Sequence, residues 1–312
     1  PISALEASRA YEQAVQTQLV ATIAETYYSL LALDRKLAIT RETARKWGEN
    51  VRAMKALKRA GERDDAAVAQ AEASRLEAES SVLSLERQLH ELENSFSTLL
   101  GIVPTEIERG RLLELSFPEE LSVGVPVQLL GRRPDVRQAE WQLAEAFYAT
   151  NKARSSFYPQ ITLSGSAGWT NSSGTGIVNP GDWLLNAVGS LVQPLFNRGR
   201  NVANLKIAKA QQQEALVAFR QKLLDAGAEV NNALTQWQTA RKSLELDSRK
   251  VETLETAVRS TQLLMEHGNT NYLEVLTAQQ TLLQAQLTEV SDKYEEIQGV
   301  ISLYHALGGG IK

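Results

Sequence analysis

Cysteine is absent from this chain of 312 residues, and its eight prolines and nineteen glycines are few and clustered. The first absence removes thiol catalysis, thiolate metal sites and disulfides; it fits an oxidising compartment without requiring one. The second means long uninterrupted elements, where this length would usually give two globular domains. No apolar run reaches the roughly 18 residues of a membrane-spanning helix. Lys and Arg, 33 in all, are interleaved with 37 Asp and Glu for a net charge of −4, with no sustained basic block. A nucleic-acid partner is therefore not expected, since phosphate binding needs concentrated positive surface.

Chemistry-bearing sets are missing as well. His90, His267 and His305 fall on different helical stretches without metal-ligand spacing. Gly308 to Gly310 lack the Lys and Ser or Thr of a phosphate loop. No Ser, His, Asp set and no paired carboxylates in a cleft can be argued, so an enzyme, a bound metal and a cofactor are all unexpected. The chain starts at Pro1, with neither an initiator Met nor a signal peptide, and Ala4 to Gln18 read as the inside of a helix. It reads as a fragment or processed product.

What is present is a contrast. An island from Phe157 to Asn197 interrupts two long runs rich in Ala, Gln, Glu and Leu. Ile161, Leu163, Gly165, Ala167 and Trp169 alternate with Thr162, Ser164, Ser166 and Gly168, which puts apolar and small side chains on one face of a strand. A second segment, Trp183 to Phe196, follows a loop rich in Gly, Asn and Ser. Each is close to the about 9 to 11 residues that a tilted strand needs to cross a bilayer. Phe157 with Tyr158, Trp169, Trp183 and Phe196 mark the four ends, where amphipathic rings suit the membrane–water boundary. Two readings stand at this point: a membrane hairpin, or a short hairpin packed on a helical domain with its aromatics as core. A lone hairpin cannot span a bilayer, because its edges would leave backbone groups unpaired in hydrocarbon. The membrane reading thus requires further strands.

The flanking runs read as four long helices. The first spans about Ser3 to Ala60 with the stripe Leu19, Ile23, Leu30, Leu33, Leu37, Ala44, Trp47, Val51, Met54. At that length it would be roughly 85 Å long, which implies bundle or coiled-coil packing. A turn at Gly61, Asp64 and Asp65 leads to a second helix ending near Leu100, with the stripe Val82, Leu85, Leu89, Leu92, Phe96, Leu99. Gly110 to Pro126 reads as an extended connector, and Pro134 and Asp135 open a shorter helix through Ser155. After the island a helix runs from about Asn201 to His267, turns through Gly268, Asn269, Thr270 and Asn271, and gives way to a last helix closed by Gly308 to Gly310.

The two long hairpins repeat. At one offset of 207, Gly61 matches Gly268, Val68 matches Val275, Ala71 matches Ala278, Ala78 matches Ala285, Leu100 matches Leu307 and Gly101 matches Gly308. Residues 1–118 read as the later part of a first repeat and 119–312 as a second, complete with helix, β-hairpin 157–197 and long helical hairpin. An earlier helix and strand pair are expected upstream. Four strands per chain remain too few to close a barrel, so several chains would contribute.

Three stretches carry a family resemblance: Leu129 to Val136 (LLGRRPDV), Ala153 to Ile161 (ARSSFYPQI) and Gln193 to Phe196 (QPLF). Two more follow, from Asn271 through Gln279 and from Leu303 to Gly310. In this order the chain resembles the TolC-like outer-membrane efflux channels, especially the lipoprotein branch serving resistance-nodulation-division pumps. That resemblance implies a mostly α fold of long antiparallel helical hairpins forming an α-barrel tunnel, with strands given to a shared trimeric β-barrel. It implies multidrug or small-molecule efflux from the outer membrane of a Gram-negative cell, with the helices in the periplasm. The implied partners are two sister copies in a homotrimer, a periplasmic adaptor (membrane fusion) protein, an inner-membrane transporter and outer-membrane lipid. It further implies a lipidated cysteine outside this sequence, adaptor contact at the turns around Gly61, Gly268 and Asn269, and a constriction at Leu273 and Thr277. Thr277 stands where many relatives of that branch carry Asp, which argues against an acidic ring and cation binding by it there. Tyr272 and Leu273, just after the turn, read as a cap or a gate. Phe157, Tyr158, Ile161, Leu163, Trp169, Trp183 and Phe196 read as lipid-facing or interfacial. The alternative of another class is a soluble coiled-coil scaffold with an inserted β-hairpin.

Overall fold

The computed structural model describes residues 2–60, 65–105, 107–112, 131–169, 183–193, 197–267 and 272–309. Among the described residues five helices and one hairpin follow in order: α1 (Ile2–Arg59), α2 (Asp65–Leu100), α3 (Pro134–Ser155), β1 (Gln160–Trp169), β2 (Trp183–Val192), α4 (Arg200–Glu266) and α5 (Tyr272–Ala306). The sequence boundaries hold to within a residue or two for the helices; the strands are shorter at their Phe157 and Phe196 ends. No helix among the described residues is long and apolar enough to cross a membrane.

Packing divides the chain into two units. One comprises Pro1–Tyr11 and Asp135–Leu224, the other Glu12–Pro134 and Asp225–Lys312. Each draws on both sequence repeats, so the compact units cut across the repeat boundary at 118.

In the first unit, α3 is started by Pro134 in its first turn and by Asp135, whose Oδ1 accepts the Val136 amide at 2.9 Å. Lys222 of α4 pairs with Asp135 at 3.1 Å. Farther along, the buried hydroxyl of Thr150 donates to the Ala208 carbonyl of α4 at 3.1 Å, fixing the two helices where they approach the hairpin.

The second unit has three apolar clusters. Ala21, Leu31, Ala32 and Ile39 of α1 meet Val290, Ile297 and Ile301 of α5, with Leu112 of the connector inserted among them. Trp47, Val51 and Met54 of α1 meet Ala71 and Ala78 of α2 and Tyr272 and Leu276 of α5. Val230 and Ala233 of α4 meet Leu303 and Ala306 of α5. The connector is held by Arg109, which donates to Asp34 of α1 at 2.5 Å and to Glu93 of α2 at 2.7 Å.

Two stripe assignments need correction. Leu19 is 44% exposed, and the buried line of α1 passes instead through Thr17 and Ala21. On α2 the buried residues are Ala71, Ser74, Ala78, Phe96 and Ser97, while Val82, Leu85, Leu89 and Leu92 are only half-buried. Small residues bring α2 close to its partners within the chain, and its larger leucines keep part of their surface uncovered.

The repeat is visible in backbone geometry. Gly101 and Gly308 both adopt left-handed φ, 70° and 75°. After α2, the Gly101 and Ile102 amides donate to the Thr98 and Ser97 carbonyls; after α5, the Gly308 and Gly309 amides donate to the His305 and Tyr304 carbonyls. These are the same Schellman closure, bond for bond, at the offset of 207 read from the sequence.

Candidate functional site

The hairpin pairs in register without a bulge, from Gln160↔Val192 to Trp169↔Trp183. Because side chains alternate, one face carries Ile161 opposite Leu191, Leu163 opposite Gly189 and Ala167 opposite Leu185. The other carries Thr162 opposite Ser190 and Ser166 opposite Asn186, with Val188 and Val192 among them. Among the described residues nothing covers the apolar face: Ile161 and Leu163 are each 82% exposed, Leu185 76% and Leu191 69%. The reading in which the hairpin packs on a helical domain is thereby set aside, since its alternating apolar residues form no core. Phe157 and Tyr158 lie just before β1 and are exposed too. Trp169 and Trp183 are the last backbone pair of the ladder, and Phe196 lies outside the described residues.

Short polar tethers set the hairpin on its helices. Asn201 donates to the Ser156 carbonyl at 3.0 Å and Gln193 to the Phe157 carbonyl at 3.4 Å. Arg198 and Gly199 adopt left-handed φ of 56° and 76°, which turns the chain from β2 into α4.

At the other named positions, α5 begins with Tyr272, which is 5% exposed within the Trp47, Met54 and Leu276 cluster. Burial pushes its phenol pKa up. Leu273 is 56% exposed and Thr277 is exposed one turn later on the same face. The Thr277 hydroxyl donates to the Leu273 carbonyl at 2.8 Å, so it is satisfied within its own helix. Tyr272 is thus separated from Leu273 and Thr277, which share the open face. Gly61, Gly268 and Asn269 lie outside the described residues; beside the first turn, Lys58 pairs with Asp65. A groove of about 520 Å³ runs between α1, α4 and α5, lined by Arg35, Lys46, Glu255 and Arg259 and by the amides of Gln262 and Gln279.

One important residue was not legible in the sequence. Arg133, which the sequence shows only within the stretch from Leu129 to Val136, is 2% exposed. Its guanidinium donates to the Ala306 carbonyl at the end of α5 at 2.9 Å and to Glu229 of α4 at 2.5 Å. It ties the start of α3 to the end of α5 and to the middle of α4.

Comparison with known proteins agrees with this geometry. The probable outer membrane lipoprotein SilC of Salmonella typhimurium is 29% identical over 309 residues, covering 97% of this chain and 66% of that protein. The toluene efflux pump outer membrane protein TtgI of Pseudomonas putida is 30% identical over 311 residues, covering 98% of this chain and 66% of that protein. The structure of the outer-membrane channel OprN superimposes with a TM-score of 0.90 at 27% identity, covering 98% of this chain and 69% of that one. The chain thus spans just under two thirds of the length of these curated relatives. Residues 2–102 and 125–309 match the family described as outer membrane efflux protein, and the chain belongs to that family.

Proposed function

We propose that the complete protein is the outer-membrane exit duct of a tripartite efflux pump, passing drugs or other small molecules outward without chemistry of its own. The observation that carries this reading is the registered hairpin with one apolar face fully open. In water each of its large residues would forfeit about 1.5 to 3 kcal/mol of burial, which lipid would supply. Its open edges require strands from elsewhere, and sister copies in a homotrimer are the source that family membership favours. The helices would then wall a periplasmic passage, with an adaptor at the turns near Gly61, Gly268 and Asn269 and an inner-membrane transporter supplying energy.

Leu273 and Thr277 are proposed to face the passage at its narrow end, with Tyr272 as the buried anchor of that end. The exposed placement of the first two and the buried placement of the third support this division. Resting contacts would hold the tips together, and adaptor binding would favour a splayed state.

Purified complete protein should run as a trimer in detergent and conduct ions across a planar bilayer. A water-soluble monomer without conductance would overturn the duct and favour a coiled-coil scaffold. Leu273→Ala combined with Thr277→Ala should raise single-channel conductance; an unchanged value would remove these two residues from the constriction.

A further inference from the structure

Within the second unit, two acids from neighbouring helices meet. Asp247 of α4 and Asp292 of α5 bring their carboxyl groups into hydrogen-bonding contact. Oδ2 of Asp292 is buried with no hydrogen-bond partner. Two carboxylates in such contact repel, and a bare buried oxygen adds a desolvation penalty, so the pair is stable only when a proton lies between them.

The surrounding charges favour one member. From α4, Lys250 pairs with Asp247 at 3.2 Å, and Ser248 donates to Glu289 of α5 at 2.6 Å. From α5 itself, Glu295 adds negative charge near Asp292. Lys36 of α1 faces Glu295, and its own pKa is lowered, chiefly by burial. The nearest cation to the pair therefore serves Asp247, leaving Asp292 as the proton's seat.

We infer that Asp247 and Asp292 share one proton that clasps α4 to α5, and that losing it loosens this stretch of the seam. Burial, the hydrogen bond and charge of Asp247 and the charge of Glu295 push the Asp292 pKa up to about 6. The hydrogen bond from Asp292 holds Asp247 below the usual carboxylate range. A raised carboxyl pKa contributes stability that is complete below its unfolded value and is lost as pH rises through about 6. The lowered one contributes above its unfolded value and is lost only at more acid pH. The seam is accordingly tightest near the ordinary carboxylate pKa of about 4 and has relaxed by neutrality. The clasp lies within one chain and is independent of any duct.

Hydrogen exchange on the complete protein in lipid nanodiscs tests it, using peptides that span Asp247 and Asp292. After correction for intrinsic rates, protection there should fall ~10-fold between about pH 4 and about pH 6.5, the effect of roughly one pK unit after solvent screening. Asp292→Asn, which keeps the shape and a donor but cannot titrate, should abolish that fall, and Asp247→Asn should do the same. A wild type without the fall, or either variant retaining it in full, would overturn the clasp.

Discussion

The hairpin and the start of α5 treat their large apolar residues in opposite ways. Leu163 on β1 is 82% exposed, whereas Leu276 on α5 is 1% exposed, enclosed by α1 and α2. Both lie in regular elements, so the difference is not one of local order. A helix leaves lateral contact to its side chains, and the long helices of this chain find partners for their stripes in the chain itself. A two-stranded sheet has no second layer here, and its apolar face is left for a different environment. The lesson is that one sequence specifies two solvents: its own interior for the helical unit and, on the proposed reading, lipid for the hairpin.

The sharpest way to break this comparison is a matched pair of substitutions. Leu276→Ala should destabilise the helical unit by about 3 kcal/mol, a transfer term plus a cavity term. Chemical unfolding of the complete protein, followed by far-ultraviolet circular dichroism, reads this directly. Leu163→Ala should leave that transition within ~0.5 kcal/mol of wild type, because Leu163 is 82% exposed among the described residues. Equal losses would mean that the hairpin does have a core after all, and the membrane reading would fail with it.

A smaller effect sharpens how tightly the helical seam is built. At Gly299 of α5 a methyl group would sit 2.8 Å from the Trp237 Cα and 2.9 Å from its Cβ on α4. Backbone cannot yield as a flexible side chain does, so Gly299→Ala must push the two helices apart. Overpacking of this kind costs about 2 kcal/mol. The Trp237 indole is already constrained: its Nε1 is buried without a partner, and Arg241 lies over the ring at 5.6 Å. The same unfolding measurement should show the loss, and indole fluorescence should shift as water reaches the ring. No change in either would show that the α4–α5 contact is looser than the geometry says.

Much of this architecture was legible because its signals are local. Pro134 and Ser155 bound α3 where the sequence put them, and the glycines at the repeat offset mark real helix ends with matching left-handed φ. The alternation from Ile161 to Trp169 correctly assigned the apolar face of β1. What stayed hidden depends on partners far apart in sequence. The Arg133 to Ala306 bond joins residues 173 positions apart, and nothing near Arg133 announces it. Asp247 and Asp292 each read as one more acid on a charged helix face until α4 and α5 are laid side by side. Tyr272 and Leu273 are adjacent, and the spacing could not say which one turns inward; the Trp47 and Met54 cluster decides that.

The two equivalent helix ends offer the finest test, since they share a backbone and differ in surroundings. Beyond Gly101 a methyl group would meet nothing within 4 Å, whereas at Gly308 it would come 3.1 Å from the Arg133 Cα. Replacing either glycine by Ala incurs the left-handed penalty of about 1 kcal/mol. Gly308→Ala must in addition displace Arg133, whose guanidinium holds the Ala306 carbonyl and Glu229. It should therefore exceed Gly101→Ala by roughly 0.5 to 1 kcal/mol in the same unfolding experiment. The excess should shrink in an Arg133→Ala background, which removes the guanidinium bonds but keeps the Cα that the methyl group meets. An excess that survives undiminished would place its origin in the backbone contact with Arg133 rather than in the guanidinium bonds, so that close packing alone would set the two helix ends apart.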